Sequence, residues 1–190
     1  MVSSKDISKL QTKLKSKLSA SRYQHTLGVA YTCSCLAMKY EEDYTQALIA
    51  GLLHDCAKYM SDEEMLDSAK KAKIDISDVE QKMPALLHAK LGAYFAKKKY
   101  NVDDELILDA IACHTTGKPA MNTLEKILYI ADYIEPGRNK MPRLAEIRKA
   151  AFEDLDICLK MILSDTVEYL KNNKSFIDDT TLDTYEYYCK

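Results

Sequence analysis

The chain has four histidines, His25, His54, His88 and His114, and each lies within or at the end of an apolar helical segment. His54 follows Gly51-Leu52-Leu53, His88 follows Ala85-Leu86-Leu87, and His114 follows Ala110-Ile111-Ala112-Cys113. Two carboxylates do the same: Asp55 stands next to His54, and Asp132 lies one turn beyond Leu128. A carboxylate in such surroundings must find a cation or several donors, because an unpaired buried charge is costly. Any one of these histidines reads most simply as a hydrogen-bonded core residue. Six separate schemes of that kind are a heavier demand than one metal centre that satisfies all six groups. A mixed imidazole–carboxylate set suits iron, manganese or zinc, not calcium or an iron–sulfur cluster. Without thiolate ligands, a structural zinc site is disfavoured.

The elements that must bring these residues together read as all-α. Gly (5) and Pro (4) are scarce, and Ala, Leu, Lys and Glu are plentiful. Ile7, Leu10, Leu14 and Leu18 form one face of a first helix, with a solvated row of Lys5, Lys9, Lys13 and Lys17 on another. Ser21 is the expected N-cap of a second helix, on which Arg22, His25, Val29, Cys33, Leu36 and Tyr40 share a face. Asp43 opens a third, apolar on all sides through Ala47–Leu53 and therefore central. Further helices are expected at 62–72, 84–99, 103–113, 122–135, 143–151 and 154–172, with all four prolines at their edges. A turn near Glu41–Glu42 puts His25 and His54 roughly 24 and 18 Å along antiparallel helices, at about 1.5 Å per residue. A turn near Asn101 puts His88 and His114 roughly 20 and 19 Å from it. The angle at which Asp132 arrives is set by the loop Thr115–Pro119, and no sequence signal fixes it. Adjacent His54 and Asp55 would diverge by about 100° on a helix. They work together if Asp55 lies between two ions, or if the helix ends there.

Composition removes several other classes. The 190 residues carry 27 Lys and Arg against 29 Asp and Glu, a net charge of −2, which is too balanced for phosphate-driven nucleic-acid binding. No apolar run reaches the roughly 18 to 20 residues of a membrane span, and Met1–Asp6 lacks a signal peptide's apolar stretch. A cytoplasmic protein of one domain, residues 1–190, is expected, with the metal-binding core at about 20–140 and helices 143–190 packed on it. The six cysteines have no CxxC spacing and read as reduced thiols, mostly small core residues. There is no Gly-rich phosphate loop or GxSxG elbow.

The ordered set His25, His54-Asp55, His88, His114, Asp132 resembles the HD-domain metallohydrolases. More narrowly it resembles the HD-domain symmetrical bis(5'-nucleosyl)-tetraphosphatases. The stretches that carry the likeness are Arg22-Tyr23-Gln24-His25-Thr26, Leu53-His54-Asp55-Cys56-Ala57-Lys58, His88 with Gly92, Ala112-Cys113-His114-Thr115-Thr116-Gly117, and Ala131-Asp132-Tyr133-Ile134-Glu135-Pro136-Gly137-Arg138. The resemblance implies a helical bundle with the metal site between central helices. It implies hydrolysis of dinucleoside tetraphosphates, such as diadenosine tetraphosphate, to two nucleoside diphosphates. Iron is the usual metal, a di-iron centre is an option, and manganese, zinc or another divalent metal is the alternative. Carried over, His25, His54, Asp55 and Asp132 are core ligands, and His88 and His114 complete a second metal position or hold phosphate. Arg22, Thr115 and Arg138 contact phosphate oxygens, and nucleotide binding extends over Asp55, His88, His114 and Asp132. Asp55, Lys58 and His88 are the catalytic assignments. The tail near Ser175–Thr180 is expected to close over the nucleotide.

The chemistry stands apart from the resemblance too. A tetraphosphate bridge carries about four negative charges, and its cleavage needs charge neutralisation and an activated water, which two metals supply. Lys58, three residues after Asp55, reads equally as a positive charge at the edge of the site and as a snorkelling helix-end lysine. Other readings of the same residues are another HD nucleotide phosphohydrolase, a di-iron oxygenase, and a non-catalytic nucleotide sensor. Tyr185, Tyr187 and Tyr188 fit either a second subunit, as in a homodimer, or a docked terminus.

Overall fold

A computed structural model describes residues 4–190, so the terminal residues 1–3 and the Lys5 side chain, both used above, lie outside what is described. Among the described residues there are eleven α-helices and one 3-10 turn, and no strand. They run α1 Ser4–Lys15, α2 Ala20–Lys39, α3 Tyr44–Leu53, α4 Asp62–Ala72, α5 Asp78–Lys82, the 3-10 turn Pro84–Leu87, α6 His88–Tyr100, α7 Glu105–Cys113, α8 Thr123–Ile134, α9 Leu144–Ala151, α10 Leu155–Asn172 and α11 Asp179–Cys189. No described helix is long and apolar enough to cross a membrane.

Caps decide most of the boundaries. Asp43 accepts from the amides of Thr45 and Gln46, as its place before the apolar run predicts. Ser61, Ser77 and Asn122 each close a capping box with the Glu three residues on. The cap of α2 is a correction: Ser19, not Ser21, is extended and accepts from the Arg22 amide, and Ser21 is already helical. Both serines suit the role; Ser19 has the backbone angle and reach for it. The helix expected over 84–99 is broken at His88, because Pro84 starts a tight 3-10 turn and α6 begins only after it. Short α5 has no counterpart among the expected helices, and α11 lies within the 143–190 stretch expected as helices but beyond the last one given bounds, 154–172.

The centre of the molecule is α3, buried on all sides through Ala47, Ile49, Ala50, Gly51, Leu52 and Leu53. It packs against α2, α7 and α8, and α6 lies against α7. At Gly51 a β-carbon would stand 2.6 Å from the Cα of Ala30, so α2 and α3 meet backbone to backbone. The expected turns are where the chain reverses: Glu41 and Asn101 both adopt left-handed angles. Cys33, Cys56, Cys113 and Cys158 are buried, and all six cysteines are free thiols. Tyr185 and Tyr188 pack against the core, whereas Tyr187 faces outward. The Tyr188 hydroxyl accepts from the Met121 amide at 2.7 Å, docking α11 on the loop after His114.

Candidate metal centre

The six groups singled out in the sequence meet at one point. His54 and His114 cap the C-terminal ends of α3 and α7, His88 opens α6, His25 lies on α2 and Asp132 on α8. Asp55 stands in the middle. Its Oδ2 lies 3.4 Å from His54 Nε2 and 3.8 Å from His25 Nε2; its Oδ1 lies 3.3 Å from His88 Nε2 and 3.9 Å from His114 Nε2. Asp132 Oδ1 is 3.1 Å from His25 Nε2. Three triads have ligand atoms within 4.8 Å of one another: His25/His54/Asp55, His54/His114/Asp132 and Asp55/His88/His114. Because α3 ends at Leu53, His54 and Asp55 leave the helix and both face the centre.

The orientation of the rings shows what this arrangement needs. Nδ1 of His54, His88 and His114 lies 2.7, 2.5 and 2.7 Å from the carbonyls of Gly51, Ala85 and Ile111, each three residues upstream. A carbonyl has no proton to give, so the hydrogen is on Nδ1, and in the neutral ring Nε2 keeps its lone pair. The Nε2 atoms of His88 and His114 then face each other at 3.1 Å. Nε2 of His25 and of His54 is buried with no hydrogen-bond partner. Electron-rich atoms gathered this way repel unless a cation lies between them. The donor set therefore fits a divalent metal, and each ring is braced from behind as metal-ligating imidazoles usually are.

Charge follows from these surroundings. Burial alone would raise the Asp55 carboxyl, yet His54, His88 and His114 outweigh it and hold Asp55 well below the usual carboxylate range. Asp132 is also held low against burial, His25 leading the groups responsible. Burial, with His114 and Lys58 adding to it, pushes His88 down to about 3; burial and His54 push His114 down to about 4. His54 goes the other way, because Asp55 more than offsets its burial. Two ionised carboxylates beside imidazoles that resist protonation are the states a metal requires.

Around the six lie the expected phosphate contacts. Arg22 donates to Asp55 Oδ2 at 2.7 Å. Arg138 folds back on Asp132, donating to Oδ1 at 2.7 Å and to the main-chain carbonyl at 3.0 Å. The Thr115 hydroxyl is 3.4 Å from Nε2 of both His88 and His114. Lys58 Nζ is 3.1 Å from His88 Nδ1, and burial lowers its pKa. Asp178 accepts from the Ser77 hydroxyl at 3.1 Å, and Thr180, Thr115 and Thr116 share the lining of a cavity of about 70 Å³. The tail named from the sequence thus has its last residues, Asp178 and Thr180, on the same small cavity as Thr115.

Glu135 had no role in the sequence reading, although it lies in a stretch quoted there. It is buried, and its Oε1 is 3.1 Å from His25 Nδ1, so it does for His25 what a carbonyl does for the other three rings. The signal was present: an acid directly after the apolar α8 and before Pro136-Gly137 has no exposed helix face to occupy.

The chain belongs to the HD-domain family, whose model matches residues 22–137. Within that family it is 41% identical, over 92% of each chain, to the symmetrical bis(5'-nucleosyl)-tetraphosphatase of Bacillus subtilis (strain 168). It is 35% identical to the protein of the same name from Staphylococcus aureus (strain NCTC 8325 / PS 47), over 96% of this chain and 94% of that one. A crystal structure of a predicted HD superfamily hydrolase involved in NAD metabolism, from Clostridium acetobutylicum, superposes with a TM-score of 0.92 at 41% identity, covering 98% and 97% of the two chains.

Proposed function

We propose that the chain hydrolyses dinucleoside tetraphosphates symmetrically, releasing two nucleoside diphosphates, with iron as its metal. The observation that carries the metal-dependent reading is the convergence of four Nε2 atoms on the two oxygens of Asp55. The substrate reading is supported by the names of relatives at 41% and 35% identity, matched over more than nine-tenths of each chain. A nucleotide of this kind puts the work in the cytoplasm, and one helical domain supplies every group.

His25, His54, Asp55 and Asp132 would hold the metal, and His88 and His114 would complete the set around Asp55 Oδ1. When bound, a divalent metal supplies positive charge to phosphoryl oxygens and acidifies a water toward a pKa of about 7. The chain does the rest. Arg22, Arg138 and Thr115 surround the centre with donors for phosphate oxygens, the two arginines offering planar forks. Lys58, partly desolvated beside His88, adds positive charge where the leaving diphosphate accumulates negative charge. Asp55 stays ionised, so it accepts a hydrogen bond from the attacking water and orients it.

Product analysis on diadenosine tetraphosphate tests this. Two ADP per substrate, lost in His54→Ala or on chelation, is the expected result. AMP with a triphosphate product would move the chain to another HD phosphohydrolase. Substrate-dependent oxygen uptake would make it an oxygenase, and tight ADP binding without turnover a sensor.

A further inference from the structure

Arg148 has no part in the assignments above, yet it reaches the centre from behind. Helix α9 buries Ile147, Ala150 and Ala151, and in that pose Arg148 faces the end of α8. Its Nε donates to the Ile134 carbonyl at 2.9 Å, and one terminal nitrogen donates to the carbonyls of Glu135 at 2.9 Å and Arg138 at 3.0 Å. A helix end leaves its last carbonyls without partners and carries partial negative charge. One guanidinium here meets three carbonyls across a single turn. Two of the residues it grips hold metal-site groups with their side chains: Glu135 braces His25, and Arg138 braces Asp132.

We propose that Arg148 is a positioning residue for the His25–Asp132 half of the centre, acting through the turn Ile134–Arg138. It touches none of the six candidate ligands; it fixes the main chain from which Glu135 and Arg138 reach them. A lysine would keep the charge but not the planar fork that spans three carbonyls. The inference rests on the divalent-metal reading of the cluster.

The test is a Mn²⁺ titration of metal-free protein, wild type against Arg148→Gln, Glu135→Gln and the double variant. Arg148→Gln is expected to weaken Mn²⁺ binding about 10- to 100-fold, the range for loss of ligand bracing. The double variant is expected to bind worse than Glu135→Gln alone by less than the full Arg148→Gln factor, because the two changes share the Glu135–His25 brace but not the Arg138–Asp132 one. A merely structural Arg148 would lower the unfolding midpoint, leave the Mn²⁺ affinity of the folded protein within about twofold, and add in full to Glu135→Gln; that result overturns the proposal. Wild-type protein that binds neither Mn²⁺ nor Fe²⁺ would instead overturn the metal reading beneath it. If Arg148→Gln does not fold, Arg148→Lys decides: a several-fold loss of affinity supports the fork, and wild-type affinity sinks it.

Discussion

The metal centre has two halves built on different plans. His54, His88 and His114 are each oriented by a carbonyl three residues upstream on their own chain segment. His25 and Asp132 are oriented by side chains from the Glu135–Arg138 turn, and for His25 the partner lies 110 residues away in sequence. The first half needs only that a helix or turn end at the histidine. The second needs α2, α8 and α9 docked correctly before its ligands point anywhere. Local bracing survives distant changes; borrowed bracing does not.

The largest effect should come where the halves join. Asp55→Asn removes the carboxylate that both share, and hydrolysis is expected to fall about a thousandfold or more, measured as kcat. Glu135→Gln attacks only the borrowed half: metal affinity is expected to drop about 10- to 100-fold by titration, with the fold intact by circular dichroism. An equal loss at the His88–His114 side would break the comparison. Gly28→Ala is subtler. Its β-carbon would lie 2.4 Å from Glu135 Oε2, so the carboxylate must swing away from His25. Since only the end of a side chain moves, stability should fall by less than about 1 kcal/mol while metal affinity falls several-fold.

The smallest expected effect is on pH dependence, read from urea midpoints of metal-free protein at pH 7 and pH 5. With burial holding His88 at about 3 and His114 at about 4, both below the ordinary 6.5, the unfolded chain takes up their protons first on acidification. Stability then falls as pH drops from about 6.5 toward 4. His54, raised by Asp55 against its burial, acts in the opposite sense: its contribution is present below about 6.5 and lost as pH rises. Two groups against one give a net loss at pH 5. A midpoint that rises instead would show that burial does not keep these two rings neutral.

The same division explains what the sequence revealed. Helices bounded by Asp43, Asn101 and Asn122 were legible because caps and turns are local. His54, His88 and His114 were legible because each closes an apolar run. The pairing of His54 with Asp55 followed once the helix was allowed to stop. Glu135 was not legible as a brace, since nothing near it in sequence names His25 as its partner. Likewise Ser19 and Ser21 offer the same side chain, and only the backbone angle chose between them. The angle at which Asp132 arrives depended on the Thr115–Pro119 loop, which Thr184 of α11 packs against at Gly117, while Tyr188 holds Met121 just beyond it.

Helices α3 and α7 both finish at the centre, so each turns toward it the end where peptide dipoles leave about half a negative charge. Two such ends outweigh the single positive end that α6 presents at His88, so the main chain makes this point attractive to a positive ion. A variant missing one imidazole keeps that attraction, and its weakened hold on an ion should be recoverable by raising the ion's concentration.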